Sequence, residues 1–532
     1  MIQYLIAHDL GTSGDKASLF STEGELVASC TVPYEVHFFH DNYAEQNPRD
    51  WWEAVCRATR EITRSIAAED VLALSFSSQM QACIAVDKQG NALRPAMIWA
   101  DMRAQEQAEH LIGTVGFDRM YEINGHRPSA SYSIEKLMWI RDHEPEIYEK
   151  TYKMLLAKDY IICRLTGEFV TDESEASGTD AFDLQNRTWS EEVLKASGID
   201  PGKLPRIHAS TDVVGSLCAD AASAMGLTSR TAIVCGGGDG PCSALGAGSI
   251  ADGQMFLSYG TSAWIAGTAD EVFMDSRKSL ICFAHVIPGK CMPCGTMQSA
   301  GSSYAYIKKV LCQEEIALSH RLSAPIDITC AGDQSSLCDN GISQGAASEG
   351  VSAYDLMNEL VLKSPPGAKG LIFLPYLLGE RSPRWNPDTS GSFLGIRTEH
   401  EKCDYIRAVL EGVAMNLAII MQAQSERGEI RELVLTGGGA RGDVPAQILA
   451  DVLGVPLHRL DHVETSTSVA AAVIAGVGVG AFPDFSVVGK FVRREKTFWP
   501  DEAYCEVYDR QKQLFEKGYE CLRAYYEMDT RL

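Results

Sequence analysis

Three stretches of this chain set carboxylates and glycines where a phosphate could be held. Asp9-Leu10-Gly11-Thr12-Ser13-Gly14 follows an apolar run near the N-terminus, Gly236-Gly237-Gly238-Asp239-Gly240 follows a second run, and Gly260-Thr261-Ser262 follows a third. Glycine reaches backbone angles that other residues avoid, and a tight turn of this kind aims N–H groups at an anion. Two such turns with a carboxylate near each predict a site that grips a polyphosphate and a metal ion from both sides. That is the chemistry of ATP, so phosphoryl transfer is the leading expectation. Asp9, ending a buried strand, suits Mg2+ directly or through water, because magnesium takes oxygen ligands. Asp239 lies between glycines, where backbone and ligand can approach closely; it is the candidate base for an attacking hydroxyl and a second carboxylate for the metal. Either residue could equally be a turn aspartate that caps its own backbone. Lys16 could face the phosphates as a point charge or be a solvated strand lysine. Gly437-Gly438-Gly439-Ala440 is expected to open a helix near phosphate or ribose, a tight strand-to-helix connection being the alternative.

The elements that must position these residues repeat. Residues 2–8, 17–20 and 25–29 read as three closely spaced strands of an antiparallel meander. A helix follows from Asn47-Pro48 to about Ile66, with Pro48 suited to a first helical turn, and then a buried strand over 71–76. After residue 240 the plan restarts, with strands 255–259 and 263–266 around the Gly260 turn, a strand 432–436, and a helix ending near Leu453. This predicts two related α/β domains, 1–246 and 247–532, with the site in the cleft between them.

The 532 residues exceed a single core, and 45% hydrophobic with 22% charged residues is ordinary for a globular chain. The net charge of -24 opposes nucleic acid and anionic membranes as partners. No run reaches the ~18–20 uninterrupted apolar residues of a membrane helix, and the N-terminus reads as a strand rather than a signal peptide, so a cytoplasmic protein is expected. The sixteen cysteines are expected to be reduced core residues; Cys291-Met292-Pro293-Cys294 has no second pair at zinc spacing.

Two longer stretches carry a specific resemblance. Ser131-Tyr132-Ser133-Ile134-Glu135-Lys136-Leu137-Met138-Trp139-Ile140-Arg141-Asp142-His143 resembles the first signature of the FGGY carbohydrate kinases of the actin/hexokinase superfamily. Gly391-Ser392-Phe393-Leu394-Gly395-Ile396 through Ala408-Val409-Leu410-Glu411 resembles the second, with Tyr405 where an aliphatic residue or Phe is usual. The resemblance implies two actin-like, ribonuclease-H-like α/β domains, each a mixed sheet flanked by helices, with ATP and sugar in the interdomain cleft. It implies Asp9 as the magnesium-linked aspartate, with Gly11, Thr12 and Ser13 as the first phosphate loop and Lys16 beside them. Asp239 would be the catalytic base, Gly260, Thr261 and Ser262 the second phosphate loop, and Gly301, Gly438, Gly439 and Asp443 the adenosine pocket.

Within the family the likeness is to xylulokinases, through the Asp9 loop, Trp99-Ala100-Asp101-Met102-Arg103 and Gly379-Glu380-Arg381-Ser382-Pro383. The sugar would then meet Gln79, Met80, Gln81, Trp99, Asp101, Arg103, Asp239 and Gly240. Gln81 stands where histidine is usual and Gly240 where many members have Asn, so hydrogen bonding to the substrate differs. Asp101 and Arg103 could instead be an interior ion pair bracing their loop. The expected reaction is transfer of the γ-phosphate of Mg-ATP to a ketopentose, D-xylulose first, with ribulose, L-xylulose, erythritol, gluconate and glycerol as alternatives. A sugar-independent ATPase switch and a silent sugar-binding regulator are the competing classes. Family members are often dimers or tetramers, so a homodimer is a further expectation.

Overall fold

The computed structural model describes residues 2–323, 351–461 and 465–528. Two seven-stranded sheets form its centre. The first runs Val213–Ser216, Ala232–Val234, Val71–Ser78, Tyr4–Leu10, Gly14–Ser21, Leu26–Pro33, with the short strand Gly237–Gly238 also pairing with Val71–Ser78. The second runs Ile281–Ala284, Cys291–Met297, Ala263–Gly267, Met255–Tyr259, Leu433–Thr436, Leu457–Leu460, Arg494–Phe498. Both are built alike around one strand. Tyr4–Leu10 pairs antiparallel with Gly14–Ser21 and parallel with Val71–Ser78; Met255–Tyr259 pairs antiparallel with Ala263–Gly267 and parallel with Leu433–Thr436.

The run Leu5-Ile6-Ala7 is buried without alternation because both faces of its sheet are covered. Ile6, Leu10 and Leu19 pack with Trp51, Val55 and Ile62 of the helix Pro48–Ile62. Leu5, Ala7 and Phe20 face Val469, Val473 and Phe491. The helix Ser466–Gly478, from the second half of the chain, thus lies on the first sheet. The helix Pro48–Ile62 starts where Asn47 accepts a hydrogen bond from the Arg49 amide, with Pro48 in the first turn; it stops at Ile62 rather than Ile66, where Thr63 leaves helical geometry.

The triple glycine does not open a helix. Gly437 sits at φ +89°, Gly438–Arg441 form one 3-10 turn, and extended Gly442 breaks the path before the helix Asp443–Leu453. The helix Lys402–Gln424 is long and apolar enough by composition to cross a bilayer, but most of it is buried in the second core, where Ile406, Val413 and Ile420 pack and Arg407 pairs with Glu411 at 2.7 Å. Of the first-signature helix Ser133–His143, Leu137 and Ile140 are core, while Trp139 is half-buried and stacks on His143.

Candidate active site

Strand order brings the two aspartates together. Ser77 is the register partner of Asp9 on one side of Val71–Ser78 and of Gly237 on the other. Asp9 and Asp239 therefore emerge at the same, carboxyl-terminal end of the parallel strands, where α/β sheets hold their ligands. Both line a cleft of about 890 Å3, with Ser262 and Trp264 on its opposite wall.

Asp9 Oδ2 accepts a hydrogen bond from Thr467 Oγ1 at 2.7 Å, a contact supplied by the second residue of the helix Ser466–Gly478. Burial raises the Asp9 carboxyl above its ordinary range and the Thr467 bond opposes this; Asp15 adds to the rise, and Lys16, its partner across the hairpin, lowers it. Asp239 begins the helix Asp239–Gly246, and Gly240 N–H donates to its Oδ1 at 2.8 Å. Burial, and next the charge of Asp9, push the Asp239 carboxyl up to about 7. A base near 7 is half-ionised at neutral pH and strong enough to take a hydroxyl proton in a transition state.

The backbone ahead of Asp239 is fixed from behind. Gly238 N–H donates to Ser174 Oγ at 3.0 Å, and Ser174 Oγ donates to Asp172 at 2.5 Å. Asp172 also accepts from Ser210 at 2.8 Å and pairs with Lys158 at 2.9 Å, all fully or nearly fully buried. A Cβ on Gly237 would come within 2.4 Å of Val286 and 2.9 Å of Ser174 Oγ, so this approach requires glycine.

The Gly11 turn is held by Tyr34 Oη donating to the Gly11 carbonyl at 2.6 Å, by Gln46 donating to the Thr12 carbonyl at 2.8 Å, and by Trp99 Nε1 donating to Thr12 Oγ1 at 2.9 Å. The Gly260 turn is tied to the helix Gly301–Leu311, whose Gly301 N–H donates to the Gly260 carbonyl at 2.9 Å. A Cβ on Gly301 would lie 2.4 Å from that carbonyl, and one on Gly439 2.4 Å from the Tyr259 ring. The second turn, Gly301, and the Gly438-Gly439 turn thus gather around Tyr259 and Gly260. The amides of Thr12, Ser13, Thr261 and Ser262 bond to no other backbone group among the described residues, so these four donors fit a polyphosphate.

Magnesium is tested by the donor set. Asp9 and Asp239 offer only hard oxygens, and the unfavourable charge of one upon the other is what a dication relieves. Among the described residues no three acidic, His or Cys side chains converge as a cage. That suits an ion whose remaining ligands are phosphate oxygens and water. Cys291 and Cys294 lie three apart on one strand and belong to different hydrophobic clusters, so they do not converge either.

Of the expected sugar contacts, Met80, Gln81, Trp99, Asp239 and Gly240 line the cleft. Gln79 lies behind it, donating to Gln46 at 2.8 Å. Asp101 and Arg103 form a buried pair at 2.6 Å; Arg103 also reaches Glu45 at 2.7 Å and stacks on Tyr43 at 3.7 Å, and Asp101 accepts the Ala44 amide. With these donors engaged, the pair braces the loop that carries Trp99 and Met102 rather than lining the cleft. Asp443 is likewise set apart, paired with Arg459 at 2.8 Å and Lys496 at 2.6 Å on a separate hollow.

Sequence reasoning missed Thr467, which the hydroxyl-rich start of its helix could have flagged, and Arg127, Trp264 and Trp385 on the cleft wall. It also gave Lys136 no role. That buried ammonium donates to the carbonyls of Gln81, Ile98 and Ser131 at 2.6–2.9 Å, pinning the wall that presents Gln81 at φ +66°.

Two sheets of one plan each give a glycine-hydroxyl turn to a shared cleft that also holds two carboxylates, the framework of a two-lobed enzyme with its site between like halves. The N-terminal and C-terminal domain profiles of the FGGY family of carbohydrate kinases match residues 4–246 and 255–479, and the chain belongs to that family. A xylulose kinase of Lactococcus lactis is 29% identical over 97% of this chain and 96% of its own length. A gluconokinase of Bacillus subtilis is also 29% identical, over 97% and 95%. The crystal structure of ligand-bound xylulose kinase from Lactobacillus acidophilus has a TM-score of 0.86 at 26% identity, covering 99% of both chains.

Proposed function

We propose that this sugar kinase transfers the γ-phosphoryl group of Mg-ATP to a terminal hydroxyl of a small polyhydroxylated acceptor in the cytoplasm. The observation that carries the reading is the placement of Asp239 and Asp9 at one strand end on a cleft that both glycine-hydroxyl turns also line. Asp239 takes the hydroxyl proton as the new O–P bond forms; the old P–O bond breaks and its electron pair leaves with ADP. Magnesium, when bound, offsets charge on the transferring phosphoryl group. Asp9 holds its place for that ion through Thr467, and the amides of both turns orient the phosphate chain. Gly301, Gly438 and Gly439 border the nucleotide, and the two halves, divided near 246, close around both substrates to exclude water.

For the acceptor, the Asp9 loop and the Trp99 and Glu380-Arg381 stretches favour D-xylulose. Relatives named gluconokinase at the same identity support D-gluconate as a second reading. The test is ADP release with Mg-ATP across D-xylulose, L-xylulose, D- and L-ribulose, erythritol, D-gluconate and glycerol, with Asp239→Asn as control. Acceptor-dependent turnover that the variant lacks supports the reading. Acceptor-independent hydrolysis, or near-normal turnover by the variant, overturns it.

A further inference from the structure

One cation of the cleft has its aim fixed and its charge unanswered. Arg127 lies on the cleft wall, half-buried. Its Nε donates to the Lys278 carbonyl at 3.1 Å, and its guanidinium sits 5.0 Å from the Phe117 ring and 5.1 Å from the Trp385 ring. Phe117 and Arg127 come from the first half of the chain, Lys278 and Trp385 from the second. Trp385 is itself fixed, its Nε1 donating to the Ser279 carbonyl at 2.8 Å, and Lys278 is paired with Asp118. Nε is anchored and two aromatic rings lie beside the guanidinium, while the two terminal nitrogens have no protein partner among the described residues. Among the described residues no carboxylate lies within ion-pair distance. Asp275, which acts on Arg127 at longer range, has its oxygens committed to the amides of Ser279 and Leu280. A second arginine of the wall, Arg381, likewise forms no ion pair among the described residues.

A chain of net charge -24 has carboxylates in excess, and an unpaired arginine fork inside a cleft is the geometry that receives a planar anion through two parallel hydrogen bonds. The elements that hold Arg127 are separate from those that hold Asp9, Asp239 and Thr467. We infer that Arg127 is the receptor for an acid group on the acceptor, at the end away from the phosphorylated hydroxyl, so that the enzyme prefers a sugar acid of the aldonate class to a neutral ketose or polyol. This rests on the kinase reading and, within it, ranks the acid acceptor above the D-xylulose that the sequence motifs favour.

The test pairs acids with neutral counterparts: D-gluconate against D-glucitol, and D-xylonate against D-xylulose. Binding is measured by titration calorimetry and turnover by ADP release, with the wild type, Arg127→Gln and Arg127→Lys. The wild type should prefer the acids. Arg127→Gln should weaken their binding by roughly 10- to 100-fold more than that of the neutral partners, the worth of a charge-assisted contact. Arg127→Lys, which keeps charge but loses the fork, should fall between. Wild-type preference for the neutral compounds, or equal losses for acid and neutral in Arg127→Gln, overturns the inference while leaving the kinase reading standing. Acids that bind through Arg127 with no ADP release from any acceptor would instead overturn the kinase reading and keep the receptor.

Discussion

Replacing Asp239 by Asn should abolish turnover and, above neutral pH, make the protein more stable. The carboxyl titrates near 3.8 in an unfolded chain and near 7 in the fold, chiefly because burial disfavours its charge. Between those values the folded protein holds a proton that the unfolded chain has released. Stability therefore falls as pH rises through this window and levels off above it. About three pH units at ~1.4 kcal/mol each give a full cost of about 4 kcal/mol. Asp239 is partly open to the cleft, so solvent screening leaves roughly 2–3 kcal/mol. About half of the window lies between pH 5.5 and 8. The advantage of Asp239→Asn over wild type in urea denaturation should therefore grow by roughly 1–2 kcal/mol between those two values. The same carboxyl sets catalysis from the other side. The wild-type kcat/KM, which reports the free enzyme, should drop about tenfold per pH unit below about 7. A parallel pH dependence of stability in wild type and variant, or an acid limb below pH 5, would refute the assignment of Asp239 as a buried base held at a cost in stability.

Two further substitutions probe what holds the site. Ser174→Ala removes the acceptor for the Gly238 N–H and orphans a buried donor, costing about 1–3 kcal/mol in denaturation, and should lower kcat more than it raises either KM. Gly301→Ala puts a Cβ 2.4 Å from the Gly260 carbonyl, which must move; the KM for ATP should rise several-fold while the KM for the acceptor stays near wild type.

The parts of the fold legible in the sequence were those set by neighbours along the chain. Apolar runs broken by glycine-hydroxyl turns gave both hairpins, and Asn47-Pro48 gave a helix start, because these signals act within a few residues. The end of that helix and the helix start after Gly437 differ from expectation because the backbone angles of Thr63, Gly437 and Gly442 end or delay the helix, although Ile66 continues the apolar pattern in the first case and Val444 and Ile448 resume it only later in the second. The helix Ser466–Gly478 reads as a generic apolar helix. Nothing local tells that it crosses to the first sheet, so Thr467 could not be tied to Asp9 across 458 positions.

The side chains that decide substrate choice were the least legible, and the reason is physical. Asp101 and Arg103 look like sugar ligands by type and proximity, yet Asp101 and Glu45 take up Arg103 Nε and Nη2, Tyr43 stacks on the guanidinium, and the Ala44 amide and Arg103 occupy the Asp101 carboxylate. Arg127 looks like an ordinary charged residue, yet among the described residues it forms no ion pair; its Nε bonds the Lys278 carbonyl and its guanidinium lies by Phe117 and Trp385. What separates a structural arginine from a binding one is whether its donors are already satisfied, and that depends on residues from distant parts of the chain. The reactivity proposed for Asp9 and Asp239 at strand ends is written in short motifs that two sheets of one plan can share. Selectivity lies in the satisfied or unsatisfied state of individual side chains, so chains built on those same motifs can differ in acceptor through a single unpaired guanidinium.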